Sequence, residues 1–370
     1  MESYPIKVGV LTSNRADLGI YHSLLLGLEN ESRFEVEIIA FGSHLSKEHG
    51  RTYDEIVETY SLKSHTVKHM PDGDQPHDIA TSYGETVKLF STFWTQNTYD
   101  WIICLGDRFE MSAAVQATIP FNLKVAHLHG GETTVGAIDN IYRHQISLAC
   151  TRHFVATEDF AKRVHEITQS AHISVVGAPS IENIKALPLP SWHTVQSRFQ
   201  TPSEDFVMVT IHPETVSKKD NQEFAKQFFS ALEELSSEIS ILITSTNADT
   251  YSSYFQEGII DLKNRFPGQI FVQKSLGKLN YFRALSEAKA LLGNSSSAII
   301  EAASFGAWAV NVGKRQLGRP QSGNVINVDF NSQQIIDATR IVIEKKPFRG
   351  LNIYWKGNTA QTIIKKLLDA

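Results

Sequence analysis

The sequence predicts an α/β protein built from two doubly wound parallel-sheet domains in tandem, and three observations carry that prediction. Short apolar runs rich in Val and Ile alternate with stretches of helical period along almost the whole chain. Near-continuous apolar strands of this kind belong to parallel sheets covered by helices on both faces. A length of 370 residues with 42% hydrophobic content exceeds what one core fills and suffices for two domains of roughly 150 to 200 residues. The alternation also breaks once, in KALPLPSWHTVQSRFQTPSED, where three prolines interrupt any strand pattern. A linker over 179–203 therefore divides an N-terminal domain, 1–178, from a C-terminal one, 204–370.

In the first half, KVGVLT, FEVEIIAF, WIICLG, KVAHLHGG, RHFVAT and HISVVG read as strands. LGIYHSLLLGL, MSAAVQATI and RHQISLAC read as helices between them. In the second half the strands are FVMVTIH, ISILITS, QIFVQ, KALLGN and WAVNVG, separated by helices near 221–235 and 250–266 and by YFRALSEA. The final GNTAQTIIKKLLDA is an amphipathic helix whose docking place the sequence leaves open.

Composition narrows the function classes. A net charge of −5 without a long Lys/Arg run argues against nucleic-acid or lipid-surface binding. Two cysteines, Cys104 and Cys150, both within apolar runs, read as core residues of a reducing compartment. The start, MESYPIKVGV, has no basic region leading into a long apolar stretch, and no run of about 18 apolar residues occurs, so a cytoplasmic protein is expected.

Ligands of open parallel sheets bind beyond the carboxyl ends of the strands, so polar clusters there matter most. TSNRADLG places Arg15 and Asp17 after the first strand, either as ligand contacts or as a solvated turn with a capping acid. It lacks GxGxxG, which disfavours a dinucleotide site. GDRFE sets Asp107 and Arg108 at a strand tip, with Glu110 opening the next helix. HLHGGETTVGAIDNIYRH gathers His129, Glu132, Asp139 and Arg143. His127 and His129 could share a sheet face, but neither HExxH nor a cysteine pair completes a metal site, so no metal is expected and proton transfer is preferred. Gly130 and Gly131 would let backbone approach a ligand, and Arg143 could pair with Asp139.

In the second half, His212 of TIHPET follows a strand, and LITSTNADT offers Asn247 and Asp249 for reading a base edge or capping a helix. GNSSSAIIEAASFG reads as a tight turn with Ser295 and Ser296, then a helix whose Glu301 lies one turn in. That arrangement suits a diphosphate and a ribose diol, or else a plain serine cap. VGKRQLGRPQSG adds Lys314, Arg315 and Arg319 for phosphate neutralisation or as a solvated loop.

Taken in order, SNRADLG, GDRFE, HLHGGETTVGAIDNIYRH, IHPET, STNADT, GNSSSAIIEAASFG and GKRQLGR resemble the hydrolysing UDP-N-acetylglucosamine 2-epimerases, over residues 12 to 319. HxHGGE, HPET, NADT and GNSSS together resemble the bacterial branch that feeds sialic-acid-like sugar synthesis. The resemblance implies a GT-B fold, two Rossmann-like domains with a cleft between them, and turnover without metal or redox cofactor. It implies loss of the C2 proton as UDP leaves C1, and hydration of the 2-acetamidoglucal to N-acetylmannosamine. By the same resemblance Arg15, Asp17, His212, Asn247, Ser295, Ser296, Glu301 and Arg315 would bind the nucleotide sugar. Asp107, Asp139, Glu132 and His129 would handle protons, with Arg108 and Arg143 as charge partners. Where many members carry two adjacent acids, this chain has Asp139 and then Asn140. Where animal and non-hydrolysing members carry Glu, it has His129. Asp139 therefore ranks first for proton transfer, followed by Asp107, Glu132 and His129.

The same chemistry on UDP-N,N'-diacetylbacillosamine or a GDP-sugar, as in legionaminic-acid routes, is one alternative. A GT-B glycosyltransferase or a non-catalytic nucleotide-sugar binder is another. The expected partner is a small nucleotide sugar, with the chain in a homo-oligomer, a dimer or tetramer. MSAAVQATI and YRHQISLACTRHF are candidate contact surfaces or core.

Overall fold

The computed structural model describes residues 4–45, 52–68, 75–133, 138–184, 187–214, 218–244 and 252–369. The chain divides into two compact units, Met1–Glu132 with Ile138–Asn183 and Tyr354–Ala370, and Thr133–Ala137 with Ile184–Ile353. Each is a Rossmann-like α/β unit, as the sequence predicts.

In the first unit the described strands are β1 (Ile6–Thr12), β2 (Phe34–Phe41), β3 (Lys63–Val67), β4 (Trp101–Leu105), β5 (Val125–Leu128), β6 (Arg152–Val155) and β7 (Ile173–Val175). They form one sheet in the order β3-β2-β1-β4-β5-β6-β7, every pair parallel. Its two faces carry separate cores. One is built on Val8, Val10, Leu24, Leu28 and Ile38, the other on Leu11, Phe41, Phe90, Trp94 and Met111. Burial on both faces is why these strands lack polar alternation.

β3 was not among the expected strands. KSHTV is an edge strand whose polar residues answer Glu37, a carboxylate fully buried in β2. Glu37 takes hydrogen bonds from Lys63 Nζ (2.7 Å) and Tyr99 OH (2.6 Å), with His65 Nε2 at 2.9 Å and Lys7 Nζ at 3.3 Å. The helix Pro76–Gln96, also unanticipated, buries Phe90 and Trp94 against this sheet.

In the second unit the strands are β8 (Phe206–Thr210), β9 (Ser240–Thr244), β10 (Ile270–Gln273), β11 (Ala290–Gly293), β12 (Trp308–Val312) and β13 (Val325–Val328). Their order is β10-β9-β8-β11-β12-β13, again all parallel. The half-exposed edge strand β13, VINV, has only a short apolar run broken at Asn327 and escaped sequence reading.

Two domain expectations need correction. The segment read as a linker holds a helix, Trp192–Arg198, capped by Ser191 and anchored by Val195 and by Trp192 stacked on Phe206 at 5.3 Å. The chain's last residues, assigned by position to the C-terminal domain, cluster with the first unit from Tyr354 onward. There the helix Thr359–Leu368 buries Ile363, Ile364 and Leu367 in the core of Leu24, Leu25 and Leu28.

Strand order reverses between β1 and β4 in the first sheet and between β8 and β11 in the second. These are the topological switch points at which such sheets bind ligands.

Candidate active site

At the first switch point the polar residues after β1, β4 and β5 come together. β5 ends at Leu128, and His129 leaves it with φ +63°, a left-handed backbone that is unusual for histidine. The sharp exit separates the two histidines expected to share a face. It also turns His129 Nδ1 to within 2.5 Å of Glu132 Oε1, while its buried Nε2 has no partner among the described residues. Backbone strain of this sort is concentrated at functional sites.

Arg143 is the hub. It is 3% exposed and enters from the helix Asp139–Ala149. Its guanidinium donates to Asp107 Oδ2 and, at 2.8 Å, to the carbonyl of His129, with Glu132 Oε2 3.8 Å away. The expected Arg143–Asp139 pair is thus replaced, because Asp107 at the tip of β4 offers the closer carboxylate. This leaves the Asp139 carboxylate, at the start of the helix, without a hydrogen-bond donor among the described residues. Loss of hydration against the surrounding protein raises its pKa, and Asp107 adds to the rise. An aspartate displaced towards neutrality is better matched to taking and returning a proton.

Arg108 is half exposed and donates from Nε to Glu110 Oε1, with Glu110 itself buried. Asp17 is buried in the first turn of the helix Arg15–Glu29, where its Oδ2 reaches back to accept from Ser13 N (2.9 Å) and Ser13 Oγ (2.8 Å), and burial raises its pKa. Arg15 points elsewhere, 74% exposed and paired with Glu55 at 3.1 Å. The structure therefore does not bring Arg15 into this cluster. Gly130 and Gly131 also differ from expectation. A Cβ on Gly131 would lie 2.4 Å from Phe160 O and one on Gly130 3.1 Å from His127 Nδ1, so the protein itself fills the space they vacate.

At the second switch point three motifs meet on Asn294. Its side chain clamps His212, accepting from His212 N at 2.8 Å and donating to His212 O at 2.9 Å. Its carbonyl accepts from Gln316 Nε2 (2.8 Å) and Arg315 Nη1 (3.3 Å). Glu214 Oε1 then accepts from the backbone N–H groups of Lys314 and Arg315, at 2.5 and 3.0 Å. Gly293 makes this possible. At φ +134° a Cβ would sit 2.0 Å from Thr210 O, so no other residue fits between β8 and β11.

The serine-rich segment departs from the expected helix. Only Ser297–Ile300 is α-helical, followed by a 3-10 turn, Ala302–Phe305, and Ser296 makes no capping bond. Ser297 rather than its neighbours organises it. Its hydroxyl donates to Glu301 Oε2 at 2.6 Å and accepts from Tyr281 OH at 2.9 Å. Burial raises the pKa of Glu301, opposed by Ser297 and Lys278. Ser295 and Ser296 stay partly exposed on the turn. Asn247 and Asp249 lie outside the described residues.

Sequence reasoning missed Asn294, Ser297, Tyr281 and Glu214 as organising residues. Each sits inside or beside a motif already singled out, but its role depends on long-range partners. No group of three His, Cys, Asp or Glu side chains is placed to hold a metal among the described residues, and no helix there is long and apolar enough to cross a membrane.

Residues 27–368 match the family described as UDP-N-acetylglucosamine 2-epimerase. The UDP-N,N'-diacetylbacillosamine 2-epimerase (hydrolyzing) of Legionella pneumophila is 31% identical over 96% of this chain and 93% of its own length. The UDP-N-acetylglucosamine 2-epimerase of Neisseria meningitidis serogroup B is 28% identical over 94% and 90%. A solved UDP-GlcNAc 2-epimerase structure from Neisseria meningitidis, bound to UDP-GlcNAc, superposes with a TM-score of 0.81 at 17% identity, covering 99% of this chain and 100% of that one. The fold is accordingly that of the GT-B-type epimerases, and the chain belongs to the UDP-N-acetylglucosamine 2-epimerase family.

Proposed function

We propose that the chain is a hydrolysing 2-epimerase of a UDP-linked 2-acetamido sugar. It would convert UDP-N-acetylglucosamine and water into UDP and N-acetylmannosamine. The observation that carries this reading is the cluster in which Arg143 engages Asp107 and the His129 carbonyl, while the Asp139 carboxylate beside it stays exposed and outside the ion pair.

The C2 hydrogen beside an acetamido group is a poor acid, so departure of UDP from C1 leads and the carboxylate follows. The C1–O bond breaks towards UDP, Asp139 takes the C2 proton, and a C1–C2 double bond forms in 2-acetamidoglucal. Water then adds at C1 while a proton returns to C2 from the opposite face, giving the free 2-epimer. The His129–Glu132 pair would give that second proton and regain one from the water that adds at C1, with Asp107 kept as a carboxylate by Arg143. His212, Ser295, Ser296, Glu301 and Arg315 would hold the leaving nucleotide, with charge stabilisation of the diphosphate as the main lever. Asp17 and Arg108 would line the sugar side.

A second substrate is favoured by one finding, the 31% identity to an enzyme named for UDP-N,N'-diacetylbacillosamine. The test is incubation of purified protein with each UDP-sugar in chelator. Release of UDP with free 2-epimer from either supports the reading and chooses the sugar. Intact nucleotide sugars in both tubes would overturn it. A sialic-acid-type pathway role and a cytoplasmic location follow from the same reading.

We also propose a homo-oligomer formed through the helix Asp139–Ala149. Ile138, Ile141 and Leu148, 64%, 57% and 63% exposed, make an uncovered apolar stripe there. Ultracentrifugation of the wild type would refute this by finding a monomer.

A further inference from the structure

His127 belongs to the HxHGGE motif but has no part in the chemistry above. It is fully buried at the end of β5, and its ring reaches two other elements of the site. Nε2 lies 2.8 Å from the carbonyl of Gly106, the residue before Asp107. Nδ1 lies 3.1 Å from Ser147 Oγ, on the helix that carries Asp139 and Arg143. We propose that His127 is a positioning residue: a neutral imidazole with its proton on Nε2 that fixes the β4 tip and the Asp139–Ala149 helix to β5. That these elements form the active site rests on the function proposed above.

The tautomer follows from the partners. A carbonyl can only accept, so Nε2 bears the proton, and a neutral ring then leaves Nδ1 to accept from the Ser147 hydroxyl. Burial holds the ring neutral, lowering its pKa to about 3 despite the Gly106 carbonyl, which favours the charged form. The Gly106 peptide is held twice from β5, by His127 and by its own N–H donating to Leu128 O at 3.0 Å. Gly130 keeps the ring's other side clear, since a Cβ there would stand 3.1 Å from Nδ1 and 3.3 Å from Ser147 Oγ. Loss of the clamp lets Asp107 and Arg143 drift, and a displacement on the order of 1 Å at reacting groups costs about 100-fold in rate.

The test pairs a spectroscopic and a kinetic readout. In histidine-¹⁵N-labelled wild type, the His127 signals, assigned by their loss in His127→Gln, should show a protonated Nε2 and a bare Nδ1 from pH 6 to 8. Ser147→Ala should leave the proton on Nε2, where the Gly106 carbonyl fixes it, and move the bare Nδ1 signal downfield as its hydrogen bond is lost. In turnover, His127→Phe should lower kcat about 100-fold with KM changed less than about threefold, and Ser147→Ala about 10-fold. His127→Gln, which keeps a donor for Gly106, should recover most of the loss. A wild-type ring protonated on Nδ1, or Ser147→Ala with an unmoved Nδ1 signal and wild-type kcat, would overturn the proposal, even if His127→Phe failed to fold. If the wild type released no UDP from any sugar nucleotide, the functional reading would fall while the tautomer measurement still decided the clamp.

Discussion

Replacing Arg143 with Met removes the one cation that enters the first-unit cluster from the Asp139–Ala149 helix, and the structure sets the size of the effect. The Arg143 side chain is 4% exposed, Glu132 5% and Asp107 25%. Breaking a buried ion pair costs about 3–5 kcal/mol, because the partners stay desolvated without compensation. Asp107 keeps some solvent, which places Arg143→Met near the lower end, about 3 kcal/mol, with the lost bond to the His129 carbonyl adding about 1 kcal/mol. For a unit of this size each kcal/mol moves the midpoint by roughly 2–4 °C, so the first-unit transition should fall by about 8–16 °C. Scanning calorimetry can follow the two units separately, and the second-unit transition should stay in place. The double variant Arg143→Met/Asp107→Asn should regain part of the loss, since the stranded carboxylate is then neutral. An unchanged melting profile, or strict additivity in the double variant, would refute the assignment of Arg143 as hub.

Two further outcomes follow from buried charge. Burial alone would raise the Glu37 carboxyl, but Lys63, Tyr99, His65 and Lys7 hold its pKa down to about 2. Its contribution is therefore complete above about pH 4.5 and lost as pH falls towards 2. Glu37→Gln should cost about 3 kcal/mol at pH 7, read from urea unfolding, and an effect below about 1 kcal/mol would contradict this. His153 is fully buried in β6, and burial, with His172 adding, lowers its pKa to about 4. Since it folds neutral, its stability is complete above about pH 6.5 and declines as pH drops through 6.5 towards 4. Between pH 7 and 5 that amounts to about 2 kcal/mol, and His153→Leu should flatten the acid limb of the first-unit midpoint. An unaltered limb would count against it.

Much of the architecture is legible in the sequence because both sheets are buried on two faces, which writes their inner strands as apolar runs. The edge strands β3 and β13 escape the same reasoning, since Lys63 and His65 are there for Glu37 and β13 is half exposed. The last helix shows an apolar stripe, but nothing in GNTAQTIIKKLLDA says which of two cores receives Ile363 and Leu367. At the candidate site, motifs after strands mark segments that the fold brings together, with Asp107, Glu132 and Arg143 in one cluster. Pairing is what they miss. Asp107 rather than Asp139 takes Arg143, and Ser297 reaches Glu301 because their i,i+4 spacing across the Ser297–Ile300 turn puts them on one face. Arg15, attractive by motif, is paired with Glu55 on the surface.

The most direct measurement is proton NMR of wild type and Asp139→Asn with UDP-N-acetylglucosamine, and in parallel UDP-N,N'-diacetylbacillosamine, in deuterated water. The wild type should release UDP together with a free 2-epimer carrying deuterium at C2, and Asp139→Asn should slow this at least about 100-fold while remaining folded. Product retaining its original C2 hydrogen, or full turnover without the Asp139 carboxylate, would contradict the proposed elimination and hydration.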